Sequence, residues 1–197
     1  CYAGLDLSST TDLTALALIF PPEAGDPDDK GIYQVVMRIW LSEDNIEKRS
    51  RNDGVPYDLW ESQGWVKTSR GSAIDYAAVR EEIIELSKRF NIAEIGFDRW
   101  GATQITQELS DEGLTVVPIG QGFRDMSFPT KELLRLVLGG RFQHGGHPVL
   151  RWAADNLVVM TDAAGNLKPN KEKSTERIDP AVSAIMAIDR ARRHAAE

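Results

Sequence analysis

The chain has 197 residues, 42% hydrophobic and 27% charged, a balance that supports a buried core and excludes collagen-like and disordered classes. Its formal net charge of -7 argues against a simple basic DNA-binding module, because non-specific affinity for nucleic acid comes from Lys and Arg neutralising phosphates. A site whose carboxylates collect divalent cations escapes that objection locally, since the ions invert its sign.

Residues 2–7 and 14–20 are apolar, β-prone runs separated by Ser8-Ser9-Thr10-Thr11-Asp12, which predicts an antiparallel hairpin. After a loop rich in Pro, Asp and Gly, residues 32–41 give a third strand. Residues 42–64 are polar and interrupted, yet Val55-Pro56-Tyr57 and Trp60 predict a short helix and loop packed on the sheet. Asp75 is placed to cap a helix through Arg89, because Val79, Ile83, Leu86 and Phe90 recur along one face. A strand over 92–97 ends at Asp98, a helix over 103–111 is closed by Gly113, and another strand follows at 115–119. Helices are predicted over 128–138, stopped by Gly139-Gly140, and over 148–156. A hairpin turn at 162–166 separates two short β-like runs. Asp179-Pro180 then starts a last helix to about His194, with Val182, Ile185, Met186 and Asp189 on one face. Three strands in a row, then alternating helices and strands, make a mixed α/β sheet with an antiparallel edge. The one cysteine, Cys1, leaves no pair for a disulfide and no cluster for zinc, and no apolar run reaches bilayer length. A strand pattern beginning at once at Tyr2, without an initiating Met, leads us to expect a domain cut from a longer polypeptide.

Asp6 stands near the end of the first strand, Asp98 at the end of a later one, and Asp179 at the start of the last helix. In an open α/β sheet such positions gather at the crevice where ligands bind. Their convergence would offer oxygen ligands to two Mg²⁺ or Mn²⁺ ions, hard cations that prefer oxygen, with Asp6 on the central strand as the bridge. A site of that kind hydrolyses a phosphodiester by in-line attack and needs no side-chain nucleophile, in keeping with the lack of a credible Ser-His-Asp or Cys-His set. Each acid also has a plain structural role, Asp6 and Asp98 as turn formers and Asp179 as a helix cap. Asp12 is a weaker candidate that favours turn chemistry. His144 and His147 sit beside glycines without a third ligand and read as turn residues, and the tryptophans read as core. Lys168, Lys171, Lys173 and Arg177 lead toward Asp179, and Arg99 follows Asp98. These five are either DNA contacts or a solvated charged surface.

Taken together, Gly4-Leu5-Asp6-Leu7-Ser8, Pro56-Tyr57 with Trp60 and Gly64, Gly71 with Ile74-Asp75-Tyr76, Phe97-Asp98-Arg99-Trp100, Gln121-Gly122, and Arg177-Ile178-Asp179 with Ala184-Ile185-Met186-Ala187 resemble the nuclease domain of tailed-bacteriophage terminase large subunits. The resemblance runs in order over nearly the whole chain. It implies a ribonuclease H-like α/β fold, a mixed sheet with antiparallel first three strands and helices on both faces, filling residues 1–197 as a single domain. It implies a metal-dependent endonuclease that cleaves concatemeric viral DNA during genome packaging, with Asp6, Asp98 and Asp179 as an acidic triad holding two Mg²⁺ or Mn²⁺. Implied partners are double-stranded DNA and, in a full-length protein, an ATPase domain, a small terminase subunit and a portal, in the host cytoplasm. Such subunits carry an ATPase motor, whereas this chain has no Gly-x-x-x-x-Gly-Lys-Ser/Thr phosphate loop, so the C-terminal nuclease portion alone is expected. Two other readings are an actin-like phosphate-binding domain, on Gly4 through Thr10, and a non-catalytic DNA- or portal-docking module whose acids serve only as caps.

Overall fold

The structure is a computed structural model that describes residues 1–8, 13–22, 31–52, 54–99, 103–174 and 177–194. Strands β1 (Tyr2–Asp6), β2 (Thr14–Phe20) and β3 (Tyr33–Ser42) form an antiparallel meander, as the apolar runs predict. Helices α1 (Glu43–Asn52) and α2 (Tyr57–Ser62) lead to β4 (Lys67–Ser69), then α3 (Tyr76–Arg89), β5 (Glu94–Asp98), α4 (Thr103–Asp111) and β6 (Val116–Ile119). Helix α5 (Phe123–Leu138), strand β7 (Phe142–Gln143), α6 (Pro148–Asn156), the hairpin β8 (Val159–Thr161) and β9 (Leu167–Pro169), and α7 (Asp179–His194) complete the order. The main sheet runs β4-β3-β2-β1-β5-β6, with β5 parallel to β1 and β6 parallel to β5; β7 also pairs with β3, and β8-β9 is a separate sheet. The fold is thus a mixed sheet, antiparallel in its first three strands, with helices on both faces, as expected from the sequence.

Side-chain parity decides which face each residue serves, because successive residues of a strand point to opposite sides. Ala3 and Leu5 of β1, with Leu16 and Leu18 of β2, pack with Val79, Ile83 and Leu86 of α3 and Ile105 and Leu109 of α4. The opposite parity, Ala15, Ala17 and Ile19 of β2, packs with Ala184, Ala187 and Ile188 of α7 and Val149 and Leu150 of α6. Gly4 and Asp6 are the cross-strand partners of Ala17 and Ala15, so they face α7 as well. Helix α7 is buried from Asp179 through Asp189, a helix enclosed on all sides rather than a surface helix with one apolar stripe.

Gly4 governs how close α7 comes. A Cβ there would lie 1.9 Å from the Ser183 carbonyl oxygen and 2.6 Å from the Ala187 nitrogen, both backbone atoms that cannot rotate away. At Gly96 on β5, paired with Gly4, a Cβ would meet the Ile119 Cδ1 at 2.5 Å and the Arg190 Cγ at 3.3 Å, flexible side-chain atoms.

Local chemistry explains most element ends. Asp75 Oδ1 accepts from the Ala77 and Ala78 N–H groups and caps α3 as predicted. Gly113 takes φ 87° after α4, a left-handed turn that only glycine enters cheaply. His147 caps α6, its Nδ1 accepting from the Leu150 N–H at 3.4 Å. Trp40 and Trp60 are buried in the core, and Trp65 and Trp152 pack against it. The structure departs from the sequence expectation in three places. Residues 42–64 hold two helices instead of one. Helix α5 begins at Phe123, not 128, so Pro129 lies inside it; the Gly122 carbonyl accepts from the Asp125 and Met126 N–H groups and starts the helix there. Strands β4 and β7, three and two residues long, are too short to show a period.

Gly4→Ala is expected to cost about 3 kcal/mol through overpacking against backbone, lowering the thermal midpoint of unfolding by ~6–12 °C, whereas Gly96→Ala should cost less than half of that. Equal melting temperatures for the two variants in a thermal scan would contradict the assignment of α7 as the immovable neighbour.

His147 carries a pH dependence. Burial first, then the positive charges of His144 and Arg38, push its imidazole down to about 4 from an ordinary 6.5. With the folded value depressed, the unfolded chain binds more protons between those values, so the contribution of His147 is full above about 6.5 and is lost as pH falls toward 4, on the order of 3 kcal/mol. His147→Asn, which can cap without titrating, should flatten the stability curve over that window; parallel curves in denaturant titrations at pH 7 and 4.5 would contradict this.

Candidate metal centre

Three carboxylates approach one end of the sheet by parity and position. Asp6 closes β1, Asp98 closes the neighbouring parallel strand β5, and each lies two residues beyond the Gly4–Gly96 pair, on the face that carries α7. Asp179 is the first residue of α7. The Ile178 carbonyl accepts from the Ala181 and Val182 N–H groups, so the backbone before Asp179 closes the first turn. The Asp179 side chain is turned to Lys171. The helix N-terminus favours a negative charge at that place in any case.

The centre of the site is an ammonium between two acids. Lys171 Nζ donates to Asp6 Oδ2 and to Asp179 Oδ1, each at 2.9 Å, although the residues are 165 and 8 positions away in sequence. Both carboxylates are 3% exposed, whereas the Lys171 side chain is 49% exposed. Burial pushes the Asp6 carboxyl up to about 7, the charges of Asp179 and Asp98 add to the rise, and Lys171 offsets part of it. Burial opposes the charge on Lys171, but the two carboxylates hold its ammonium above the usual lysine value.

Asp98 is half-buried and lines the adjoining cleft of about 460 Å³ together with Gln121, Met160, Lys168, Asn170 and Lys171. Gln121 reaches the Met186 sulfur of α7 at 3.5 Å, which ties the loop after β6 to the same helix. Among the described residues no three Asp, Glu, His or Cys side chains gather closely enough to hold an ion by themselves. The direct meeting is between Asp6 and Asp179 through a cation, with Asp98 on the wall beside them. This donor set fits a divalent ion: the ligands are hard carboxylate oxygens, and two negative charges share one positive one. The Lys171 ammonium, at 2.9 Å from an oxygen of each acid, supplies the positive charge at that point.

The basic residues separate by position. Lys168 lies over the Phe123 ring, 5.3 Å from its centroid, and lines the cleft. Lys171 has its ammonium on the acids, although half of its side chain is exposed. Lys173 is exposed on the same loop, Arg177 is half-buried before Ile178, and Arg99 is exposed with its N–H on the Ile119 carbonyl. Asp12 and Trp100 lie outside the described residues. His144 and His147 are remote from the acids; they line a larger groove of about 580 Å³ across β3 and α3.

Asn170 is the residue that sequence reasoning missed. It is 7% exposed, its Oδ1 accepts from the Glu172 and Lys173 N–H groups at 3.1 and 3.2 Å, and its N–H donates to the Val158 carbonyl at 2.8 Å. That turn presents Lys171. The signal was the Pro169-Asn170 pair after a strand, since Asn builds such turns by bonding the backbone ahead of it.

The family model for the terminase large subunit, endonuclease domain, matches residues 1–195. The chain is 41% identical over 189 residues to the large subunit of the terminase of Enterobacteria phage HK97, covering 95% of this chain and 36% of that protein. The crystal structure of the HK97 large terminase superposes with a TM-score of 0.86 at 39% identity, over 96% of this chain and 39% of that one. The large terminase nuclease of thermophilic phage G20c, solved with bound magnesium, shares the fold at 14% identity with a TM-score of 0.58, over 95% of this chain and 79% of that one. The chain spans little more than a third of the HK97 protein. It belongs to the family of terminase large subunit endonuclease domains.

Proposed function

We propose that the chain is a single nuclease domain that cuts double-stranded DNA with the help of divalent metal ions, as the endonuclease of a packaging terminase that processes concatemeric viral DNA. The observation that carries the reading is the pair of buried carboxylates, Asp6 and Asp179, joined by one ammonium beside Asp98, in a chain of this family. A related nuclease with bound magnesium, and the same nuclease with bound cobalt, support the choice of a divalent ion.

Asp6, Asp98 and Asp179 would hold two Mg²⁺ or Mn²⁺ ions, Asp6 from the central strand bridging them. Ions so bound supply a water of lowered pKa and stabilise the charge that develops on the scissile phosphate. The chain itself does the positioning. β1 and β5 fix Asp6 and Asp98 on one face, α7 brings Asp179 against them, and the walls of the cleft admit a backbone phosphate. Lys168, and Lys173, Arg177 and Arg99 farther out, would meet neighbouring phosphates and give binding that weakens with salt. In a full-length protein the partners would be an ATPase motor, a small terminase subunit and a portal, in the host cytoplasm.

Plasmid nicking with Mn²⁺, Mg²⁺ or a chelator tests the reading. The wild type should cut only with metal, and Asp98→Ala should lower the rate about a hundredfold or more, because metal-centred charge stabilisation is worth several kcal/mol. Inertness with every metal, or cutting that survives chelation, would refute it. Asp6→Asn should remove cleavage while leaving the metal-free thermal midpoint within ~4 °C of wild type or above it, since the amide removes a desolvated charge and Lys171 keeps Asp179. A much larger drop in the same scan would mean that Asp6 serves the fold instead of the chemistry.

A further inference from the structure

Lys171 contacts the acids from a different kind of element than the one that carries them. Asp6 and Asp179 belong to a central strand and a fully buried helix that Gly4 lets close on each other, so neither carboxylate can retreat. Lys171 follows Asn170 on a loop whose backbone is pinned. The Asn170 carbonyl accepts from the Ser174 N–H at 3.0 Å and its hydroxyl at 2.6 Å, and Ser174 Oγ in turn accepts from the Val158 N–H at 3.2 Å. The free element is the side chain itself, a flexible four-carbon stem that is half-exposed and ends in a compact charge.

We propose that Lys171 is a built-in counter-cation: it holds the place of a divalent ion between Asp6 and Asp179 in the metal-free protein, and metal binding expels it into the adjoining cleft. The proposal rests on the metal-dependent reading above. An ammonium at 2.9 Å from both oxygens and a metal ligated by the same oxygens at about 2 Å cannot share the space, and their like charges repel. The exchange leaves the acids better neutralised: with both carboxylates ionised, the pair sums to -1 with Lys171 and to zero with one divalent ion in its place, and the displaced ammonium carries its single positive charge into the cleft. The displaced ammonium enters a cleft that already holds Lys168, where both could face a phosphate. The site thereby stays folded without metal, and metal has to compete for it.

Calorimetric titration of Mn²⁺ into the metal-free wild type, Lys171→Met and Asp6→Asn tests this without DNA or turnover. Lys171→Met should bind Mn²⁺ on the order of tenfold more tightly than wild type, the scale of one charge-assisted hydrogen bond that the metal no longer has to break, and its metal-free form should melt lower. Equal or weaker binding by Lys171→Met, with Asp6→Asn deficient, would overturn the counter-cation role and leave the metal reading standing. Absence of binding in all three would overturn both. Amine acylation of the wild type, read by mass spectrometry with Lys131 as reference, covers the case in which Lys171→Met does not fold. Modification of Lys171 should speed up several-fold when Mg²⁺ is added, and an unchanged or slower rate would refute the exchange.

Discussion

The close approach of α7 to β1 is the contact on which the rest of this domain depends. Gly4 on the strand and Ser183, Ala184 and Ala187 on the helix leave no side chain thick enough to hold the two backbones at an ordinary distance. The same contact fixes the chemistry. Because parity puts Asp6 on the face of Gly4, the helix that seats itself on Gly4 delivers its first residue, Asp179, to the end of the strand that bears Asp6. Parallel pairing carries the arrangement one strand further, since Gly96 lies beside Gly4 and Asp98 lies on the same face beyond it. A bulkier residue at position 4 would displace a helix and, with it, a carboxylate.

Burying like charges together costs stability, and other buried acids in the domain avoid it. Asp189 is 1% exposed on the same helix, yet it is paired with both Arg190 and Arg193. There two cations serve one carboxylate. At Asp6 and Asp179 the ratio is reversed, two carboxylates to one ammonium, and burial pushes the Asp6 carboxyl up, with the charges of Asp179 and Asp98 adding to the rise. Removing water from a charge is expensive unless the charge is fully paired, so an under-paired set is retained only where something besides folding uses it. The set lies at strand ends and a helix start, where open α/β sheets tend to bind their ligands.

The fold was legible in sequence where a local rule acts alone. The Asp75 cap, the Gly113 stop and the apolar spacing of α3 each depend on residues within a few positions, and the three-strand meander follows from apolar runs and a polar turn. Where rules compete, the sequence misleads. Pro129 signals a helix start, but the Gly122 carbonyl already supplies one, and α5 continues through the proline. The three acids were legible as strand-end and helix-start residues that an open α/β sheet could gather, and the family resemblance strengthened that grouping. The partner of Asp6 was not legible at all. Lys171 reads as one member of a basic stretch, and the 165 positions between them erase any local signal. Charge alone offered DNA contact or solvated surface for that stretch, and the fold places the Lys171 ammonium between Asp6 and Asp179.

Size would have pointed elsewhere, and charge compensation explains why size is the weaker guide. The groove across β3 and α3 is larger than the cleft at the acids and includes two histidines. Several of its charged groups are already employed: Glu82 is bridged by Arg38 and Lys67, Arg38 also donates to the Met37 carbonyl, and His147 caps α6 while its ring packs against Trp65. Such a surface gains little from a ligand ion, because any charge brought in has to break an existing pair. The cleft beside Asp98 opens onto a pair of buried carboxylates joined by a single ammonium. On the proposed reading a divalent ion there would replace one positive charge with two at hard oxygen ligands, and that gain would be offered at the smaller opening.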